Sequence, residues 1–105
     1  RLAEAEVLRA QLQRLQPTPP FALFQEGQKA MRDGDYTRAR RLFQREIARQ
    51  PDYHEFHFWL ALAHYQLGDL RHAREELELA LESSTTREQQ GLYSSKLQRL
   101  KAAKL

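Results

Sequence analysis

The stretch that decides the fold is GDYTRARRLF, residues 34–43, because its pattern recurs 34 residues later as GDLRHAREEL, residues 68–77. Both stretches open with Gly-Asp, place an alanine at the same offset (Ala39 and Ala73) and end on a bulky apolar residue (Phe43 and Leu77). Asp favours a helix N-cap, and Gly supplies the left-handed backbone that commonly ends the preceding helix. The pattern therefore predicts two repeated units, each made of two helices that meet at the Gly-Asp corner.

The repeated unit resembles the tetratricopeptide repeat, whose pattern is a helix–turn–helix of about 34 residues with small, aromatic and closing Pro positions. The matching residues of the first unit are Leu23, Gly27, Gly34, Asp35, Tyr36, Ala39, Phe43 and Pro51. Those of the second unit are Leu60, Ala61, Gly68, Asp69, Ala73, Leu77, Ala80 and Leu81, with Thr85 where the closing Pro is expected. The resemblance covers about residues 21–85 and implies an all-α solenoid that binds a protein or peptide.

The composition of the 105-residue chain is that of one small globular domain. Lys and Arg number 17 against 14 Asp and Glu, and a net charge of +3 does not require a nucleic-acid partner. The absence of Cys excludes disulfides, thiolate metal sites and a cysteine nucleophile, and it leaves the compartment open. The sequence shows no membrane-spanning apolar run and no signal peptide, and it begins with Arg, which suggests a piece of a longer protein.

Residues 1–16 are rich in helix formers, and Leu8, Leu12 and Leu15 are spaced like a short heptad seam. We expect this segment to be the end of a coiled coil, or to dock in a groove of the repeats, and to make the protein a homo-oligomer. The prolines of residues 17–20 end the segment and form a linker. A coiled coil followed by a short repeat domain is similar to the organisation of bacterial envelope proteins, which suggests a periplasmic or membrane-anchored location.

Residues 21–105 form the predicted repeat domain, with repeats at about 21–51 and 52–85. Its helices are expected at about 21–33, 36–50, 52–67 and 70–83, and Thr18 is expected to cap the first. The spacing of Thr85 and Glu88 is that of a capping box, and it opens a capping helix that runs to about residue 103. In that helix the apolar residues Leu92, Tyr93, Leu97 and Leu100 are expected to pack inward. The polar residues Gln89, Gln90, Lys96, Gln98, Arg99, Lys101 and Lys104 are expected to face water.

Residue patterns typical of enzymes are missing from the sequence. It contains neither a nucleophile elbow nor a glycine-rich phosphate loop, so we expect no catalytic activity, no cofactor and no small-molecule substrate. His54, His57 and His64 share one side of a helix, which leaves a zinc-dependent enzyme as the less favoured alternative. The resemblance instead assigns His57 and His64 to positions where the repeat places an aromatic residue against the partner helix.

The resemblance also indicates a binding groove, because the first helix of each pair lines the concave face in this family. The residues expected to face that groove are Phe24, Gln28, Met31, Phe58, Leu62 and Tyr65. Family members that clamp a C-terminal carboxylate use Lys and Asn at corresponding positions, so that mode is disfavoured here. A mostly apolar groove suits an amphipathic helix or a second copy of the chain, unless the chain's own terminal helices cover it.

The second helix carries two charged features. One side of this helix carries an arginine stripe, which is read as a solvated face, with nucleic-acid or anionic-surface binding as the alternative function. Glu46 lies on the core face where the family has a small residue, and we expect it to form a half-buried ion pair with a donor such as His64 or Arg32. The stripe consists of Arg38, Arg41, Arg45 and Arg49.

Overall fold

The computed structural model describes residues 21–103, and this part of the chain folds into α-helices without a β-strand. The helices are Ala22–Arg32 (α1), Tyr36–Arg49 (α2), His54–Gln66 (α3), Leu70–Ser83 (α4) and Arg87–Ala103 (α5). The expected all-α fold of two helical pairs and a further helix is therefore confirmed. Each helix end lies within two residues of its expected position. The predicted helix of residues 1–16 and the linker at 17–20 lie outside the described residues.

Each helical pair turns at its Gly-Asp corner, as the sequence predicts. Gly34 and Gly68 have φ angles of 78° and 81°, in the left-handed region that L side chains rarely adopt. A Cβ at either position would meet no atom within 4 Å, so backbone conformation rather than space requires glycine. Asp35 and Asp69 cap α2 and α4, each accepting a 3.2 Å hydrogen bond from the backbone N–H three residues further on.

The first hydrophobic core lies between α1, α2 and α3. Ala39 and Phe43 of α2 have no exposed surface, and the ring of Phe24 lies 5.8 Å from that of Phe43 and 4.9 Å from that of Phe56. Gly27 is also buried where α1 approaches α2, and a Cβ there would lie 2.4 Å from Cε1 of Phe43. Glycine at this position is therefore what allows the two helices to approach so closely.

Helix α3 is shared between the two cores. Phe56, Leu60 and Ala63 belong to the first core, and Ala61 on another side of the helix belongs to the second. Such a helix is apolar around most of its circumference, as expected for one packed between neighbours on both sides. The second core joins Ala61 to Ala73, Leu77, Leu97 and Leu100 of α4 and α5.

Helix α5 covers the second core, but not with all the residues expected. Tyr93, Leu97 and Leu100 are at most 8 % exposed, whereas Leu92 is 48 % exposed. The expectation that Leu92 packs inward is wrong, because one residue along a helix turns the side chain by about 100°. Leu92 therefore lies outside the face that Tyr93 buries.

The N-terminal cap of α5 is also displaced by one residue from the expected Thr85–Glu88 pair. Thr86 Oγ1 accepts a 3.2 Å hydrogen bond from the backbone N–H of Gln89. In return, Gln89 Oε1 accepts one of 3.1 Å from the backbone N–H of Thr85. As in a capping box, the side chains of the first residue and of the residue three positions later each accept a backbone N–H, and here these residues are Thr86 and Gln89.

Helix α1 receives its cap from another helix. Phe21 occupies the N-cap position with a φ of 66° and makes no side-chain capping bond, while Thr18 lies outside the described residues. Glu46 Oε2 of α2 instead accepts a 2.9 Å hydrogen bond from the backbone N–H of Phe24. This N–H is one that a helix start leaves without an intrahelical partner, and a carboxylate there also complements the helix dipole.

The expectation for Glu46 was therefore wrong in burial and in partners. Its side chain is buried rather than half-buried, with 1 % of the residue exposed. Its second oxygen, Oε1, lies 3.4 Å from Nη1 of Arg49 in an ion pair. The partners are thus a backbone N–H of α1 and an arginine of the same helix, rather than His64 or Arg32.

Candidate protein-binding site

An apolar pocket opens between α3, α4 and α5, and we call it the α3–α5 pocket. Leu62 and Tyr65 of α3 line one side, and Lys96 and Arg99 of α5 line the other. The pocket encloses about 210 Å³, and Tyr65 is 49 % exposed, so it presents an aromatic edge to solvent. The buried residues at the base are Ala61, Ala73, Leu77 and Leu100.

The two cations at the edge of the pocket, Lys96 and Arg99, have different surroundings. Nζ of Lys96 lies 6.0 Å from the ring centroid of Phe58, a cation–π distance, and Phe58 in turn lies 5.1 Å from Tyr93. Arg99 is exposed one turn further along α5. Neither cation forms an ion pair with an acidic side chain of residues 21–103. The pocket therefore combines an apolar interior with two cations at its edge.

The other residues predicted to face the groove lie elsewhere. Phe24 is 8 % exposed, and Met31 packs against the first core. Gln28 and Phe24 both line a separate cleft of about 390 Å³ that also includes Tyr53 and Glu55. Leu62 and Tyr65 are the members of the set that line the α3–α5 pocket, and a single groove formed by all six residues stays a prediction.

His57 joins α3 to α4 and to the loop between α2 and α3. Its Nδ1 lies 2.7 Å from Oε2 of Glu76, and its Nε2 lies 2.7 Å from the carbonyl oxygen of Pro51. Both neighbours are acceptors, so the protonated ring satisfies both bonds. The hydrogen bond to Glu76 outweighs the opposing effect of burial and raises the pKa of His57 above its ordinary value of 6.5.

The other two histidines of the predicted zinc group have different partners. His54 Nδ1 and the Tyr93 hydroxyl form a 2.6 Å hydrogen bond. His64 is 5 % exposed and has its Nδ1 4.0 Å from Asp69, and burial lowers the pKa of His64 despite that carboxylate. The three rings do not converge, and within residues 21–103 no three His, Cys, Asp or Glu side chains are grouped so as to hold a metal ion.

A family model for the tetratricopeptide repeat matches residues 24–88, which is more than half of the chain. The chain belongs to the tetratricopeptide repeat family. Tetratricopeptide repeats generally mediate protein–protein interaction and are typically non-enzymatic modules. A search of curated proteins found no match to the chain.

In this tetratricopeptide repeat domain the arginine stripe lies on the surface of α2. All four members, Arg38, Arg41, Arg45 and Arg49, are exposed, and Arg49 pairs with Glu46. Binding of nucleic acid or an anionic surface by this stripe stays a prediction. So does self-association through Leu8, Leu12 and Leu15, which lie outside the described residues. None of the described helices is both long and apolar enough to cross a membrane.

Sequence reasoning placed Lys96 and Arg99 on the solvated face of the capping helix and did not connect them with the groove. Arg99 is exposed and Lys96 is half-buried, and both border the apolar pocket opposite Leu62 and Tyr65. Their three-residue spacing indicates two cations on one helical face. Nothing in that spacing shows which apolar residues of α3 lie opposite them, because those residues are about 30 positions away in the sequence.

Proposed function

We propose that this chain is a protein-binding module that holds one amphipathic helix of a partner protein in the α3–α5 pocket. The observation that carries the proposal is the open apolar pocket itself, in a domain whose family generally mediates protein–protein interaction. Binding is favourable when a partner's apolar side chain displaces water from an apolar recess on the surface.

The size of the pocket favours a peptide side chain over a small-molecule ligand. Its volume of about 210 Å³ is below the roughly 300–1,000 Å³ that is usual for small-molecule sites. A single Leu, Met or Phe side chain entering from a partner is the better match. We therefore infer that the pocket receives one apolar anchor rather than an isolated metabolite.

The arrangement of the pocket favours a helical ligand. Leu62 and Tyr65 are three residues apart on α3 and so are neighbours on one helical face. A partner helix presents apolar residues at the same spacing, which lets a second anchor contact Tyr65 while the first occupies the pocket. The helices that form the pocket offer an extended peptide no strand edge with which to pair its backbone.

The test uses the full chain and a fluorescent peptide of about four helical turns, made of Ala and Gln with one Leu stripe and amidated at its C-terminus. Fluorescence anisotropy measures the dissociation constant for the unaltered protein and for two pocket variants, Leu62→Gln and Tyr65→Ala. Leu92→Gln is the matched control, because Leu92 is 48 % exposed and lies outside the pocket.

We expect each pocket variant to weaken binding by about tenfold, the effect of losing roughly 1.4 kcal/mol of contact, while Leu92→Gln leaves it unchanged. Circular dichroism of each variant shows whether it is folded, and Tyr65→Ala keeps the test decisive because that side chain is half exposed. Absence of saturable binding, or equal losses in the pocket and control variants, would refute the proposal. Self-association of the full chain that the pocket variants abolish would identify a second copy, rather than another protein, as the occupant.

A further inference from the structure

The α3–α5 pocket carries more information about its ligand than its apolar interior. Its edge holds Lys96 and Arg99, and neither forms an ion pair with an acidic side chain of the described residues. Two cations beside an apolar recess repel a basic ligand and attract an acidic one. From this juxtaposition we propose that the partner helix carries carboxylate side chains within one turn of its apolar anchor. The inference rests on the proposed function of the same pocket.

The position of Lys96 supports a recognition role for its charge. Its Nζ lies 6.0 Å from the centroid of Phe58, at the outer limit of a cation–π contact, so the aromatic ring favours positions of the ammonium group beside the pocket. Phe58 is itself positioned by Tyr93, 5.1 Å away, and by Trp59, 6.3 Å away. A cation restrained in this way loses less conformational freedom when it pairs with a ligand.

Arg99 provides a second cation at a defined spacing from Lys96. It lies three residues after Lys96, so the two cationic groups are neighbours along one face of α5. Carboxylates three or four residues apart on a ligand helix have the same repeat and can face both cations at once. A guanidinium can also bind a carboxylate through two parallel hydrogen bonds, which makes Arg99 suited to a Glu or Asp side chain.

The apolar and charged parts of the pocket together define the chemistry of the ligand. On a helix that places its anchor between Leu62 and Leu100, the residues three before and one after the anchor lie four positions apart on one side of the apolar stripe, and this side can be turned toward α5. Acidic side chains at those positions meet Lys96 and Arg99, and basic ones meet like charge. The expected ligand is therefore an acidic amphipathic helix with an internal apolar anchor, and a free C-terminal carboxylate is not required.

The experiment compares three amidated peptides of the design used above, with Leu at every fourth residue, which differ only at the positions three residues before and one residue after the central Leu. These positions hold Glu in the acidic peptide, Gln in the neutral peptide and Lys in the basic peptide. The full chain is tested unaltered, as the double variant Lys96→Glu with Arg99→Glu, and as the control Arg87→Glu with Lys101→Glu. The control makes the same change in net charge on exposed residues of α5 that do not line the pocket.

For the unaltered chain we expect the acidic peptide to bind about three- to tenfold more tightly than the neutral one, and the difference to shrink in high salt. The pocket double variant should reverse the order, so that the basic peptide binds most tightly. The control variant should retain the preference for the acidic peptide. Reversal by the pocket pair alone supports recognition at the pocket edge.

Two results separate a failure of this inference from a failure of the proposed function. If no peptide binds, the proposed function itself fails. If the acidic and neutral peptides bind equally well, and the Lys96→Glu, Arg99→Glu chain keeps that equality, the pocket binds a helix without charge selection and the inference is overturned. A control variant that reverses the preference as strongly as the pocket variant would also overturn it, because the effect would then come from net charge.

Discussion

Replacing Gly27 with Ala tests the closest helix contact in the first core. A Cβ at this position would lie 2.4, 2.7 and 2.9 Å from three carbon atoms of the Phe43 ring, whereas carbon atoms normally make contact at about 3.5–4.0 Å. The ring would have to move by roughly 1 Å to restore normal contact. Phe43 has no exposed surface and packs against Phe24 and Trp59, so it has no free space into which to move.

Two opposing effects determine how much Gly27→Ala lowers the free energy of unfolding. Ala gains about 0.8–1 kcal/mol over Gly in a helix interior, whereas overpacking a tight core costs about 1–3 kcal/mol. Three ring atoms closer than 3.0 Å place this site at the upper end of that cost. We therefore expect Gly27→Ala to lower the free energy of unfolding by about 1–2 kcal/mol, which corresponds to roughly 5–15 °C in melting temperature for a domain of this size.

Gly91→Ala is the matched control, since it makes the same chemical change within α5. A Cβ at Gly91 would meet no atom within 4 Å, so only the propensity gain applies, and this variant should be more stable by about 0.5–1 kcal/mol. Adding Phe43→Leu to Gly27→Ala should cost less than the sum of the two single changes, because the smaller side chain makes room for the new methyl group. Urea denaturation followed by circular dichroism measures all four variants. If Gly27→Ala stabilises the chain as much as Gly91→Ala does, the close approach of α1 to α2 is refuted.

Three further predictions concern stability. Glu46→Ala should lower the free energy of unfolding by about 1–3 kcal/mol, because it leaves the N–H of Phe24 buried without an acceptor, and Glu46→Gln should lower it by less. A urea midpoint for Glu46→Ala at or above that of the unaltered chain would contradict the capping role. The unaltered chain should have a higher free energy of unfolding than His57→Ala, and this difference should be greatest below pH 6.5 and be lost as the pH rises through the raised pKa of folded His57. Urea midpoints whose difference does not depend on pH would argue against the bond to Glu76. Ala73→Leu should cost about 1–3 kcal/mol in thermal melts while Ala48→Leu, at an exposed position of α2, costs little; equal melting temperatures would show that Ala73 does not lie at a tight helix crossing.

The helices and their corners followed from the sequence because their causes are local. A Gly with positive φ and an Asp that accepts a bond from a backbone N–H three residues further on act within a single turn. The spacing of Ala39 and Phe43 along α2 likewise marks the face that becomes buried. Such short-range relations repeat every 34 residues, and that period identified the fold and the family.

The expectations for Leu92 and Glu46 were wrong because they depend on the exact rotation of a helix or on a partner from another helix. Leu92 and Tyr93 are adjacent in sequence, and the packing of α5 on the second core decides which of them is buried. Glu46 reads as an anomaly within α2. Its burial is explained by the start of α1, which supplies the N–H that it binds.

The sequence by itself determined that this is an all-α repeat protein of a family that binds other proteins, since helix periodicity and corner chemistry repeat along the chain. The tertiary structure decided where a partner can be held. It brings Leu62 and Tyr65 of α3 to the same pocket as Lys96 and Arg99 of α5. The physical reason is that a binding pocket forms where side chains from separate helices converge, and convergence depends on how the helices pack.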